Sequence, residues 1–171
     1  MEIELERTFL LKYKPEDLDK CKSVEIFDTY FPKSARHPVL RLRKKGEKIE
    51  LTKKFPVKDG DSSEQEEHTI ILSQEEFEEF SKLEGAKLRK IRYYYPVRNL
   101  MAEIDVFQDK LQGLCMVDFE FKTKEEKENF KAPDFCAAEI TQEEIFAGGF
   151  LVGSSYEDAK PALDKLNYKK L

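Results

Sequence analysis

Histidine is scarce in this 171-residue sequence. His37 and His68 are the whole complement, which leaves little room for a mechanism centred on imidazole. The cysteines are three, Cys21, Cys115 and Cys136. No two are close and no His-x-Cys cluster accompanies them, so the spacing of a zinc site is missing. An odd cysteine count with no leader-like segment suits a reducing cytoplasm better than a disulfide scaffold. The first eleven residues carry too many acids to serve as a targeting sequence. No apolar run approaches the roughly 18 residues of a membrane span, so no membrane association is expected. The Gly-x-x-x-x-Gly-Lys loop of P-loop enzymes is also missing. The net charge of −5 argues against a nucleic-acid partner, although it averages over local patches. No internal repeat or low-complexity linker divides the chain, and its length fits one domain over 1–171.

What the sequence has is charge and aromatics. Charged residues make up 38%, well above the usual quarter, yet 13 Phe and 7 Tyr are enough for a buried core rather than a disordered chain. The dominant pattern is short, alternating, β-branched or aromatic runs. It predicts strands near 2–12, 23–31, 38–45, 48–56, 64–72, 87–95, 101–107 and 115–122. GEK at 46–48 reads as a tight hairpin and KDGDSS at 58–63 as a longer one. Eight strands in mostly hairpin order suggest a closed antiparallel barrel or a strongly curved sheet. A short helix is expected after Pro15. SQEE at 73–76 has capping-box form, with Ser73 as N-cap, and opens a helix that Gly85 ends. TKEE at 123–126 and TQEE at 141–144 repeat that form. A last helix is expected over about 155–168, with Pro161 as a kink or break. The class is therefore mainly β (α+β), with helices packed outside the barrel.

Successive side chains of a strand point to opposite faces, so Glu2, Glu4 and Glu6 share one face of the first strand. The same alternation recurs along the chain. Arg41 and Arg43 share a face, as do Glu50, Thr52 and Lys54. Glu64, Glu66 and His68 share another, followed by Lys90 with Arg92, Glu103 with Asp105, and Asp118 with Glu120. The opposite faces carry Leu40, Leu42, Leu51, Ile104, Val106, Val117, Phe119 and Phe121. Two arrangements satisfy this pattern. In one, the charged faces meet water and the apolar faces form the core. In the other, the charged faces line a lumen and the apolar faces pack under the helices. The sorting of charge speaks for the second: acid pairs fall on the first, seventh and eighth strands, and basic pairs on the third and sixth. Clustered carboxylates suit divalent metal ions, and guanidinium forks suit phosphate oxygens.

In order along the chain, these pieces resemble the triphosphate tunnel metalloenzymes, also called CYTH proteins. ELERTF (Glu4–Phe9) is similar to their N-terminal Glu-x-Glu-x-Lys-aromatic signature, and DTYF at 28–31 to their second strand. LRLR carries their Arg-x-Arg, LTKK their strand-four lysine at Lys54, and EQEEHTI their acidic fifth strand. KIRY, EIDVF and VDFEF complete the set. The resemblance implies an eight-stranded antiparallel β-tunnel that hydrolyses a small-molecule triphosphate with Mg²⁺ or Mn²⁺, inorganic triphosphate being the default substrate, in a monomer or homodimer. It implies Glu4, Glu6, Asp118 and Glu120 as metal ligands. Glu66, Glu103 and Asp105 would be further ligands or would orient a water. Arg41, Arg43, Lys54, Lys90 and Arg92 would hold the phosphates. Three positions depart from the pattern: Thr8 stands where the family has its lysine, Glu64 where it often has an arginine, and His68 where it often has a second acid. These departures leave open an altered substrate, slower turnover, or a module that binds triphosphate without cleaving it. The family also contains thiamine triphosphatases and adenylate cyclases.

Overall fold

The computed structural model describes residues 2–171. Met1 and the side chain of Glu2 lie outside the described part, and with them the expected place of the Glu2 carboxylate. Nine strands form: β1 (Glu2–Leu11), β2 (Ser23–Phe31), β3 (Leu40–Lys45), β4 (Lys48–Lys58), β5 (Asp61–Ile71), β6 (Ala86–Val97), β7 (Leu100–Phe107), β8 (Cys115–Phe121) and β9 (Cys136–Glu139). The sheet runs β5-β4-β3-β2-β6-β7-β8-β1, and a further pairing of β1 with β5 closes it into an eight-stranded barrel. Every pairing in it is antiparallel. Closure leaves no free edge along the first half of β1, where Glu2–Leu5 pair with β5. Beyond that point β9 takes over the same edge, opposite Phe9 and Leu11. β9 is too short to show an alternating pattern, and the sequence alone does not reveal it.

The barrel's outer face is apolar where it is covered. Leu5, Phe9, Leu11, Ile104, Val117, Phe119 and Phe121 are buried there in one cluster with Phe135, and Phe130 packs against it. The Phe130 ring centre lies 4.6 Å from that of Phe119 and 5.1 Å from that of Phe121. Such aromatic pairs add about 0.5–1.5 kcal/mol each beyond their burial. The inner face is charged over most of its length but turns apolar toward one end. There Leu10, Leu88, Phe107, Met116 and Tyr30 join Leu151, Val152, Tyr156 and Leu163 in a single buried cluster. The last four belong to α3 (Gly148–Leu151), α4 (Tyr156–Lys165) and the link between them. The C-terminal helices thus fill the base of the lumen.

Of the three predicted capping boxes, one, SQEE, is formed in full. In α1 (Gln74–Phe80), Ser73 Oγ accepts from Glu76 N at 3.2 Å while Glu76 Oε2 accepts from Ser73 N at 2.7 Å. Ser155 and Asp158 repeat this at α4. Thr123 caps α2 (Lys124–Asn129), but the Glu126 carboxylate bonds to the Lys122 amide instead. TQEE does not open a helix. Thr141 Oγ1 accepts from the Thr8 amide at 3.0 Å, which pins this segment to β1, and only a 3₁₀ turn follows at Glu144–Phe146. The segment after Pro15 forms a 3₁₀ turn at Leu18–Lys20. Pro161 sits inside α4 without ending it. No described helix is long and apolar enough to cross a membrane.

Glycine is required where α3 meets the β2–β3 loop. A Cβ on Gly149 would meet the His37 ring and would lie 2.5 Å from the Pro38 carbonyl oxygen. The His37 ring cannot move away freely, because it stacks on Phe150 with centres 4.3 Å apart. Gly149→Ala is expected to destabilise the fold by about 1–3 kcal/mol through overpacking. Urea unfolding, read as a lower midpoint at unchanged slope, checks this.

Candidate active site

Directly paired residues of neighbouring antiparallel strands share a face, so the register states what faces the lumen. Glu6 lies opposite Glu120 and Thr8 opposite Asp118. Asp118 lies opposite Glu103, and Asp105 opposite Arg92. Asp28 lies opposite Arg43, which lies opposite Glu50. Arg41 is paired with Thr52, and Lys54 with Glu67. The inner band therefore gathers Glu4, Glu6, Arg41, Arg43, Lys54, Lys90, Arg92, Glu103, Asp105, Asp118 and Glu120, with Glu120 exposed at the mouth.

Glu66 is not among them. It lies opposite Ile3 and Phe55, two exposed residues of the outer face, and its Oε1 is 2.6 Å from His68 Nε2. The inward acid of β5 is Glu67, 3.2 Å from Lys54 Nζ and accepting from Thr69 Oγ1 at 2.6 Å. The physical reason is the strand period of two: EQEEH offers acids to both faces, and a one-residue change of register exchanges them. The pairing of β5 with Ile3 and Leu5 fixes the choice.

The band divides by charge state. On one side cations and acids neutralise each other. Arg92 grips Asp105 with Nε and Nη2, each at 2.7 Å, reaches Asp118 at 3.1 Å and also contacts Glu103. Lys90 donates to Asp105 as well. Arg43 grips Asp28 with two bonds of 2.7 Å. Burial alone would raise the Asp105 and Asp28 carboxyls, but Arg92 and Lys90 beside the first, and Arg43 beside the second, hold both below the usual carboxylate range. On the other side acids accumulate. Burial pushes Glu6 up to about 7 against the pull of Lys54, and the charges of Asp118, Glu4 and Glu120 add to the rise. Burial likewise raises Glu4, with Lys54 opposing. Among the described residues no cation lies within ion-pair distance of Glu6 or Glu120. Arg41 is the complementary case, with its buried Nε lacking any hydrogen-bond partner.

Asp28, Glu67 and Thr8 are contributors that the motifs did not assign. Asp28 was visible only as part of DTYF. Its signal is its phase, since Ile26, Asp28 and Tyr30 alternate and all three are buried. Thr8 Oγ1 donates to Asp118 Oδ1 at 2.8 Å, so with Arg92 on Oδ2 the carboxylate is held from both sides.

The donor set fits a hard divalent cation. It is all carboxylate oxygen, and the Glu6 carboxylate has like charges around it and no paired cation. Among the described residues no three acidic, His or Cys side chains converge as a ligand set. Glu4 and Glu67 converge on Lys54 Nζ instead.

A closed antiparallel barrel whose lumen sorts carboxylates against arginines defines a β-barrel protein with a charged interior. Residues 2–144 match the CYTH domain family, and the chain belongs to it. The chain is similar to an inorganic triphosphatase of Nitrosomonas europaea, 28% identical over 145 residues that cover 84% of this chain and 92% of that protein. Among solved structures, that of an inorganic triphosphatase superposes with a TM-score of 0.64 at 24% identity, covering 90% of this chain and 97% of the other. A candidate adenylate cyclase of Bacillus halodurans superposes with a TM-score of 0.56 at 15% identity, covering 99% and 92%. At these identities the superpositions establish the shared barrel.

Asp28→Asn would leave the buried Arg43 guanidinium without its counter-charge. The expected loss is about 3–5 kcal/mol of stability. The sign with pH follows from the lowered folded value. The Asp28 contribution is present above the unfolded carboxyl value of about 3.9 and is lost as pH falls through the folded one. Chemical unfolding at neutral pH should show the full deficit of the variant, and the gap to wild type should narrow in acid.

Proposed function

We propose that the chain is a divalent-metal-dependent triphosphatase acting on inorganic triphosphate. The observation that carries this reading is the juxtaposition, inside one closed barrel, of Glu6 and Glu120, which no cation pairs among the described residues, with Arg41, whose buried Nε has no hydrogen-bond partner. The first calls for a cation and the second for an anion. The family likeness and the curated relative point the same way.

Mg²⁺ or Mn²⁺ would be held by Glu4, Glu6, Asp118 and Glu120, and when bound would neutralise phosphate oxygens and lower the pKa of a bound water. The chain's own residues do the rest. Arg41, whose buried Nε has no hydrogen-bond partner, is the first anchor for a phosphate. Arg43 adds the part of its fork that Asp28 leaves open. Lys54, Lys90 and Arg92 line the same band. Asp105 has both oxygens engaged by Arg92 and Lys90, so it positions those cations rather than accepting a proton. Glu103 engages Arg92 through Oε2 alone. Its other oxygen is available to orient the attacking water and take its proton as the phosphoanhydride P–O bond breaks and diphosphate leaves. Glu67 takes the place that the motif had given to Glu66. We place the reaction in the cytoplasm, where the free Cys21, Cys115 and Cys136 stay reduced.

A second reading is favoured by Thr8. The residue binds Asp118 instead of presenting a cation, and the protein would then bind triphosphate with little turnover. Phosphate release from inorganic triphosphate, thiamine triphosphate and ATP separates the two. Turnover with Mg²⁺ or Mn²⁺ that stops in excess chelator supports the enzyme. Tight binding without release under either metal supports the module.

Two sets of substitutions test the assignments. Glu6→Gln is expected to lower kcat/KM by about a hundredfold or more, since even residues behind a metal ligand are worth 10–100-fold. Arg41→Ala is expected to raise KM by about tenfold or more through loss of a charge-assisted bond of about 1.5–3 kcal/mol. Glu67→Gln should impair turnover while Glu66→Gln leaves it within about twofold, as suits a surface carboxylate. Steady-state kinetics of the four variants would sink the inward assignment of β5 if the last pair came out reversed.

A further inference from the structure

Lys54 differs from the other ion-paired cations in the band. Arg43 and Arg92 are buried and locked in bidentate grips, and Lys90 is buried on Asp105. Lys54 is more exposed, with 27% of its side-chain surface accessible. It holds two carboxylates from two strands: Glu4 of β1, in direct contact, and Glu67 of β5 at 3.2 Å. The charge of Glu6 also acts on it, while Arg41 repels it. The ammonium therefore bridges Glu4 and Glu67 and occupies the oxygens of Glu4 that a cation would need.

We propose that Lys54 is an exchangeable internal counter-ion: it neutralises Glu4 and Glu67 in the empty lumen, is displaced from them when a divalent cation binds, and is thereby handed to the incoming polyphosphate anion. This rests on the reading of Glu4 and Glu6 as cation ligands. An ammonium and a divalent cation cannot share Glu4 at contact distance, because their repulsion is strong in a poorly screened lumen. The lysine is the partner that can leave. Its charge is a point on a flexible four-carbon stem with rotatable donors, unlike a guanidinium fixed by two bonds. Once off Glu4 it adds to the positive field of Arg41, so cation and anion each raise the other's affinity, and by linkage the two factors are equal. An empty lumen keeps an excess of carboxylates and does not retain stray phosphate. A cation-loaded one attracts it.

Two measurements without turnover test this. Titration calorimetry with Mg²⁺ alone compares wild type with Lys54→Met. A short pulse of an amine-acylating reagent, read by peptide mass, reports the reactivity of Lys54 with and without Mg²⁺. The expected result is about tenfold tighter Mg²⁺ binding by Lys54→Met, within the usual range of coupling factors, and a severalfold rise in Lys54 acylation when Mg²⁺ is added to wild type. Tighter binding by the variant with no change in acylation would overturn the proposal, since Lys54 would then act only through its field. Equal Mg²⁺ affinities would overturn it too while leaving the metal reading intact. Absence of Mg²⁺ binding by wild type and variant alike would remove the metal reading, and the proposal with it. Should Lys54→Met fail to fold, the wild-type acylation result decides alone: a rise supports the exchange and an unchanged or lower reactivity refutes it.

Discussion

A guanidinium or ammonium can be enclosed inside a barrel only where a carboxylate stands within reach. The pairing of β1 with β5 imposes that condition on this molecule. Closure removes the sheet edges and turns the inner face into a confined space with restricted access to water. Asp105 then has to answer for both Arg92 and Lys90, and Asp28 for Arg43. These grips tie β2 to β3, and β6 to β7 and β8, along the inner wall. They also set the site's geometry, since Arg92 reaches from Asp105 to Asp118 and so ties the basic side to the acidic one. The aromatic layer outside, built on Phe119, Phe121 and Phe130, could be repacked with similar residues at modest cost. The inner pairs could not be halved without leaving a buried charge.

The same constraint explains why the site is uneven. Guanidinium groups held by two bonds, as those of Arg43 and Arg92 are, act first as supports and orient what is left over. The groups with no ion pair among the described residues, Arg41 on one side and Glu6 with Glu120 on the other, together with the more exposed Lys54, are placed to respond to a ligand. Thr8 belongs to this second tier. It contributes no charge, but it fixes one oxygen of Asp118 while Arg92 fixes the other, and a carboxylate held from two directions presents a defined face to the cluster beside it.

Most of the barrel was legible in the sequence because its strands are long and amphipathic on both counts: acidic or basic on one face, aromatic or branched on the other. The direction of the charged face was also legible, through the sorting of signs from strand to strand. β9 was not, because four residues, Cys136–Glu139, carry too few alternations to stand out. TQEE was misleading for a related reason: Thr141 has the composition of a cap, but the Thr8 amide of a distant strand claims its hydroxyl. Glu66 and Glu67 mark the sharpest limit. Adjacent acids in a strand differ only in phase, and phase is decided by the partner strand, here by Ile3 and Leu5. Asp28 was hidden for the opposite reason, since an acid between the apolar Ile26 and Tyr30 on one strand face acquires meaning only when Arg43 is seen across from it.

The apolar base of the lumen carries a consequence of its own. Leu10, Leu88, Phe107 and Met116 meet the C-terminal helices there, and Gly148 and Gly149 let α3 sit close enough to seal it. The cavity is therefore blind-ended, with traffic through one mouth. Whatever enters must retreat along its own path, past the exposed Glu120 at the mouth. A chain longer than the lumen is deep must leave its far end in solvent. The barrel is a well rather than a passage, and its depth, set by a helix of four residues, is a ruler for what it can hold.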